Sequence, residues 1–226
     1  ENMLQYLRST DYSPTIALQD KLSGGSWVRC EKPNEDEKQR LADLGIDVDI
    51  LTDALDPHEV PRVEVDGDWT YFITRVPDVG DDFNDFTTPI LFALHRKYVV
   101  TLSRDSLGRL WQPFIDTART RTVGQTELFL HMIDTIVLQY QRRVAAINRQ
   151  MRAATSNVTL LRSADIAGIT EYERKLNDYL DALIPTNTAV ERLLGGKLLH
   201  LSEDHKDLVE DLSIDLEQVM ARCKSL

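Results

Sequence analysis

Cysteine is nearly absent from this sequence: the 226 residues contain only Cys30 and Cys223, too far apart for a Cys-x-x-Cys redox or zinc motif. That excludes a disulfide scaffold and suits a reducing compartment, with both thiols read as packing residues. Long apolar runs are missing too. No stretch of about 18 consecutive apolar residues occurs, so the sequence as it stands holds no membrane span. An amino-terminal signal peptide is also lacking. Among catalytic signatures there is no Gly-x-Gly-x-x-Gly, no Walker loop, no Gly-x-Ser-x-Gly and no His-Glu-x-x-His. Of the histidines only His200 and His205 lie close together, and carboxylates are so abundant that any acid–base pair drawn from them carries no information. The expectation is a protein that is not an enzyme. Excess positive charge is lacking as well. A formal net charge of -11 disfavours nucleic acid phosphates and points to cations or basic partners.

What is present is enough apolar material, 42% of residues, for a substantial core, in a chain long enough for one large or two smaller domains. The first half alternates short elements. Residues 3–10, 15–22 and 26–32 read as strands. Asn34 with Glu37 three residues on forms a capping box for a helix that Gly45 stops, and Asp47 caps a second short helix. In "LDPHEVPRVEVDGDWTYFITRVP" two prolines bracket a charged corner, Val63 and Val65 alternate with Arg62 and Glu64, and Asp66-Gly67 signals a hairpin. "TTPILFALH" and "YVVTLSRD" make another hairpin through His95-Arg96-Lys97. These elements compose a mixed sheet with helices packed on it, ending near Arg119. The fold class is therefore α+β, with a sheet domain over 1–120 and a long-helix region over 121–226.

From Gln125 the texture changes to three long helices. Phe129, Ile133, Ile136, Val137, Tyr140, Val144, Ile147 and Met151 share one face of the first. In the second, about 163–194, the stripe is Ile166, Ile169, Tyr172, Leu176, Tyr179, Leu183, Val190 and Leu194, with Pro185 expected to kink it. After Gly195-Gly196 the third starts near Ser202 and carries Leu208, Leu212, Leu216, Val219 and Cys223. At roughly 1.5 Å per residue each outruns a small domain, so they are expected to project beyond the sheet, their stripes covered by one another or by a second subunit. The chain lacks an initiator Met and stops inside a helical pattern, which reads as a fragment.

Asp204, Asp207, Asp211 and Asp215 follow at steps of three or four on the last helix, an acidic stripe whose self-repulsion costs a few tenths of a kcal/mol per pair. Its plainer reading is a solvated face. The functional one is a hard-cation site, since Mg2+ takes oxygen ligands and uses one or two carboxylates while keeping several waters. Asp134 stands among Leu130, Val137 and Leu138, a neighbourhood in which a carboxylate calls for a partner or an ion. Asp53 reads locally as an ordinary exposed helix acid. His200 and His205 flank Asp204, keeping zinc open beside a plain helix start.

"LTDALDPHEVPRVEVDGDWTYFITRVP" followed by "TTPILFALHRKYVVTL" resembles the cytoplasmic domain of the CorA-type divalent cation transporters. The likeness extends to "LFLHMIDTIVLQY", to the mid-helix proline of "LDALIPTNTAVERLL" and to a final helix opening on "EDHKDLVEDL", so that it spans essentially the whole chain. It implies a stalk helix leading to two membrane helices and a Gly-Met-Asn pore motif beyond Leu226, at the cytoplasmic face of the cell membrane. It further implies a homopentamer that senses Mg2+, with Co2+, Ni2+ or Zn2+ as alternatives, through ions bridging neighbouring subunits and stabilising a closed state. Carried over by position, the metal-binding residues are Asp53 in the sheet domain, Asp204 on the stalk and Asp134 in support, with Thr52 standing where relatives can carry Glu. A zinc-type transporter relative and a helical protein-binding scaffold are the alternatives.

Overall fold

The computed structural model describes residues 3–10, 12–77, 86–117, 120–156 and 163–225. Seven strands, β1 (Met3–Thr10), β2 (Ser13–Gln19), β3 (Ser26–Glu31), β4 (Arg62–Asp66), β5 (Trp69–Pro77), β6 (Thr87–Leu94) and β7 (Tyr98–Ser103), form one sheet in the order β2-β1-β3-β7-β6-β5-β4. All neighbours are antiparallel except β3 and β7, which pair in parallel from Ser26↔Tyr98 to Glu31↔Ser103. The mixed α+β class is as expected.

Local sequence explains most boundaries. Helix α1 (Glu35–Asp43) begins on the Asn34–Glu37 capping box, both halves at 2.9 Å, and ends at Gly45, whose φ of +100° a side chain would resist. Helix α2 (Val48–Ala54) is capped by Asp47, whose carboxylate accepts from the Asp49 N–H. The β4–β5 turn is centred on Gly67-Asp68, one residue later than Asp66-Gly67, because Asp66 pairs with Trp69 and Gly67 takes the positive φ. Strand β2 starts and ends earlier than expected, at Ser13 and Gln19. Helix α3 (Gly108–Asp116) was not expected at all, since Pro113 lies inside it and its N-cap, Leu107, offers no capping side chain.

The sheet is covered on both faces. On one, α1 and α2 place Leu41, Ile50, Leu51 and Ala54 against Val28, Cys30, Tyr71, Ile73, Leu91, Val100 and Leu102. On the other, Trp27, Phe72, Val76, Ile90, Phe92 and Val99 meet α3, α4 (Gln125–Thr155), α5 (Ser163–Leu193) and α6 (Glu203–Lys224). Burial on both faces accounts for the near-continuous apolar runs of β5, β6 and β7.

The expected α4 stripe is buried throughout. The α6 seam is buried from Leu212 to Cys223, joined by Val209 where Leu208 is only half-buried. The α5 stripe is buried at Leu176, Tyr179, Leu183 and Val190, while Ile169 and Tyr172 are half-buried against the same core and Ile166 is 56% exposed. Cys223 and Lys224 lie beside Glu173, Leu176 and Asn177 of α5. Helix α5 continues unbroken through Pro185. Side chains bind these helices to the sheet: Tyr140 Oη donates to the Arg75 carbonyl at 2.7 Å, Thr74 and Thr186 hydroxyls meet at 2.8 Å, and Arg192 donates to the Val63 carbonyl at 3.1 Å.

Candidate functional site

Asp53 lies on the outward side of α2, opposite the buried Ile50, Leu51 and Ala54. Its side chain is 45% exposed, and Oδ2 accepts from Arg62 Nη2 at 2.8 Å. Arg62 is the cation that sequence reasoning missed. It also pairs with Glu59 and, at 3.2 Å, with Glu64, so one guanidinium serves three carboxylates. Pro57 and Pro61 fix the chain between Asp53 and Arg62. The cluster keeps a net negative charge, and Asp53 Oδ1 is without a hydrogen-bond partner among the described residues. Only the fold could reveal this arrangement, although Arg62 and Glu64, two apart on a strand, already share one face in the sequence.

Asp204 occupies the first turn of α6 and is exposed. The helix starts on a reciprocal cap, in which the His205 N–H donates to Ser202 Oγ at 3.2 Å and the Ser202 N–H donates to His205 Nδ1 at 3.4 Å. A carboxylate there suits the positive end of the helix dipole. Asp207 and Asp211 are likewise exposed, and Asp215 is half-buried.

Asp134 keeps an exposed edge on α4 next to Leu138, which is itself 39% exposed, while its inner flank is apolar. Loss of hydration pushes its carboxyl pKa up. Asp215 on α6 adds to the rise, and His131, one turn earlier, opposes it. Asp134 therefore faces the acidic stripe at Asp215. A raised folded-state pKa means that the ionised form is penalised on folding, fully at pH values above that pKa and not at all below the ordinary carboxylate value. Asp134→Asn is accordingly expected to raise Tm at pH 7, with the gain shrinking as pH falls to the ordinary carboxylate range. Paired thermal melts across that range check this, and a gain independent of pH would contradict it.

Among the described residues no three His, Cys, Asp or Glu side chains converge to hold a metal ion, so Asp53, Asp134 and Asp204 do not meet within one chain. What the chain offers is single accessible carboxylates of hard oxygen-donor type, each able to take part of a coordination shell. Among the described residues no helix is long and apolar enough to cross a membrane.

Comparison with known proteins adds the following. A family model described as "CorA-like Mg2+ transporter protein" matches residues 23–226. The Cobalt/magnesium transport protein CorA of Methanocaldococcus jannaschii is 26% identical over 202 residues, covering 86% of this chain and 63% of that protein. This chain thus spans under two thirds of that relative's length. The solved structure of the soluble domain of CorA from the same organism superposes with a TM-score of 0.83 at 22% identity, covering 99% of this chain and 91% of that one. The ZntB cytoplasmic domain from Vibrio parahaemolyticus gives a TM-score of 0.72 at 12% identity, covering 99% of this chain and 94% of that one. At these identities the two structures speak for the fold.

Proposed function

The chain belongs to the CorA-like Mg2+ transporter family, and on that premise we propose that it is the cytoplasmic regulatory domain of a homopentameric divalent-cation transporter or channel, sensing Mg2+ through ions held between neighbouring subunits. The observation that carries this reading is the state of Asp53. It is held in place by Arg62 yet keeps one oxygen free and nearly half its surface accessible, as a carboxylate shared with a second chain requires. Asp204, exposed at the head of α6, is the complementary carboxylate, and Asp134 beside Asp215 is the supporting acid.

Opposed carboxylates on adjacent protomers repel. At about 4 Å, two unit charges interact by roughly 4 kcal/mol at an effective dielectric near 20. A dication between them reverses that sign, and linkage makes the assembly that binds the ion better the one the ion favours. Bound ions then hold the closed ring, and their loss lets protomers separate, with α6 transmitting the change. Oxygen-only donors suit Mg2+, which retains several waters and uses one or two carboxylates. Transport itself belongs to the whole protein.

The test is a Mg2+ titration of the wild-type chain and of Asp53→Ala, Asp204→Ala and the double variant, read by limited proteolysis and sedimentation velocity. At hundredfold excess over Kd a specific ion stabilises its bound form by about 2.7 kcal/mol. The wild type should gain protease resistance and a larger sedimenting species with Mg2+, and the double variant should lose both. Equal protection of the double variant would remove the Asp53–Asp204 assignment. Parallel titrations with Co2+, Ni2+ and Zn2+ rank the cations, and a response to Zn2+ alone would replace Mg2+ as the sensed ion.

A further inference from the structure

A cleft of about 510 Å3 opens where the β4–β5 turn, the β6–β7 turn, the start of α4 and the α5–α6 connection meet. Hydrogen bonds between distant elements hold its walls: Gln125 Nε2 donates to the Arg96 carbonyl at 2.9 Å, and Thr70 Oγ1 donates to the Leu198 carbonyl at 2.6 Å. Its size falls within the range of small-molecule sites, roughly 300–1,000 Å3.

The lining opposes the chain in charge. Acidic residues outnumber basic ones by 37 to 26 over the whole sequence. Here Arg96 and Lys197, with His95, His200 and His205, face a single acid, Asp68. Neither Arg96 nor Lys197 forms an ion pair among the described residues. A strongly acidic chain that gathers unpaired cations in one concave site presents a local attraction for anions.

Two of the three histidines have one ring nitrogen already taken. The Lys97 N–H donates to His95 Nδ1 at 3.2 Å, as the Ser202 N–H does to His205 Nδ1. A ring nitrogen that accepts a hydrogen bond is already engaged, so on each of these rings Nε2 is the nitrogen left for a ligand.

We propose that this cleft binds a phosphate-bearing anion, with Arg96 and Lys197 supplying charge and the Nε2–H groups of His95 and His205 supplying directed donors. Phosphate oxygens accept several hydrogen bonds at once and gain most from cationic donors. The phosphoryl group comes either as free orthophosphate or on a nucleotide, and the two are separated by experiment. Neither Asp53 nor Asp204 lines the cleft.

The test is calorimetric titration of the folded chain with orthophosphate and, separately, with ATP, both in a chelator-containing buffer. Saturable binding of at least one is expected, and binding of ATP without orthophosphate identifies the nucleotide as the source. Arg96→Gln and Lys197→Gln should each weaken binding about tenfold, the usual size of one lost charge-assisted contact. Both side chains are exposed, so the variants should fold as the wild type does, which circular dichroism checks. The Asp53→Ala, Asp204→Ala double variant should keep anion binding while losing its response to Mg2+, so the two readings fail separately. Absence of saturable binding of either probe, unchanged binding in the Arg96→Gln, Lys197→Gln double variant, or a Zn2+ site requiring His95 and His205 in its place would each overturn the proposal.

Discussion

Replacing Glu31 with alanine is expected to lower the unfolding free energy by about 3–5 kcal/mol, the cost of breaking a buried ion pair from one side. Glu31 and Arg29 lie on β3 with side chains 3% and 6% exposed, and Arg29 Nε donates to Glu31 Oε1 at 2.7 Å. The other carboxylate oxygen accepts from the Leu107 N–H at 3.0 Å and from Ser106 Oγ at 3.2 Å. Since Leu107 is the N-cap of α3 and offers no capping side chain, Glu31 does from a strand 76 residues away what a Glu or Gln at N3 does in a capping box, accepting from the N-cap N–H. Alanine there leaves a buried guanidinium without its counterion and a backbone donor without its acceptor.

The partner substitution separates the two contributions. Arg29→Met combined with Glu31→Leu removes both charges together and leaves chiefly the Leu107 N–H unsatisfied, a cost of about 1–3 kcal/mol. Urea unfolding followed by circular dichroism should therefore show the double variant more stable than Glu31→Ala alone. A loss under 1 kcal/mol for Glu31→Ala would mean that water reaches the site and that the pair is not the joint between β3 and α3.

Why α3 escaped the sequence follows from the same contact. Its start signal lies in β3, and its interior proline argues locally against a helix, so both cues that sequence reading relies on were absent or misleading. Where the signal is local, as at Asn34–Glu37, Gly45 and Asp47, the expected boundary and the observed one coincide. The α4 stripe was legible because one face of a long helix is buried along its length. Ile166, at the start of α5, keeps the same periodicity and is still 56% exposed, since period reports which residues share a face and says nothing of what lies against it.

The candidate site divides in the same way. Asp53, Asp134 and Asp204 could be named by position, but the environment that gives each its chemistry was not visible. Arg62 becomes the counterion of Asp53 only when the proline corner folds back. Asp215 becomes the neighbour of Asp134 only through the register of α6 on α4, and the basic cleft draws on four separate connections. Each rests on contacts between elements whose relative placement no short window of sequence contains.

Phe129→Ala is expected to destabilise the chain by about 3–5 kcal/mol, within the range for deleting a buried phenylalanine. Phe129 is fully buried in the first turns of α4, edge-on to Phe72 of β5 at 5.2 Å and to Phe92 of β6 at 5.3 Å. Trp111 of α3 meets Phe92 from a further side at 6.3 Å, so one aromatic cluster joins two central strands to two helices. Edge-to-face pairs add about 0.5–1.5 kcal/mol each beyond the area they bury. Phe129→Leu, which keeps most of the volume and loses both pairs, should fall between the wild type and the alanine variant. The consequence extends past stability, because α4 packs α6 on one side and the sheet on the other, with Asp204 on α6 and Asp53 on α2 across the sheet. On the Mg2+-sensing role proposed above, the response should weaken once α4 is loosened, even in protein that is still folded. Phe129→Leu, melted to find a temperature at which it remains native and then titrated with Mg2+ there, should show a weakened protease protection. Full protection at that temperature would mean that the sheet and α6 each position their carboxylate without α4.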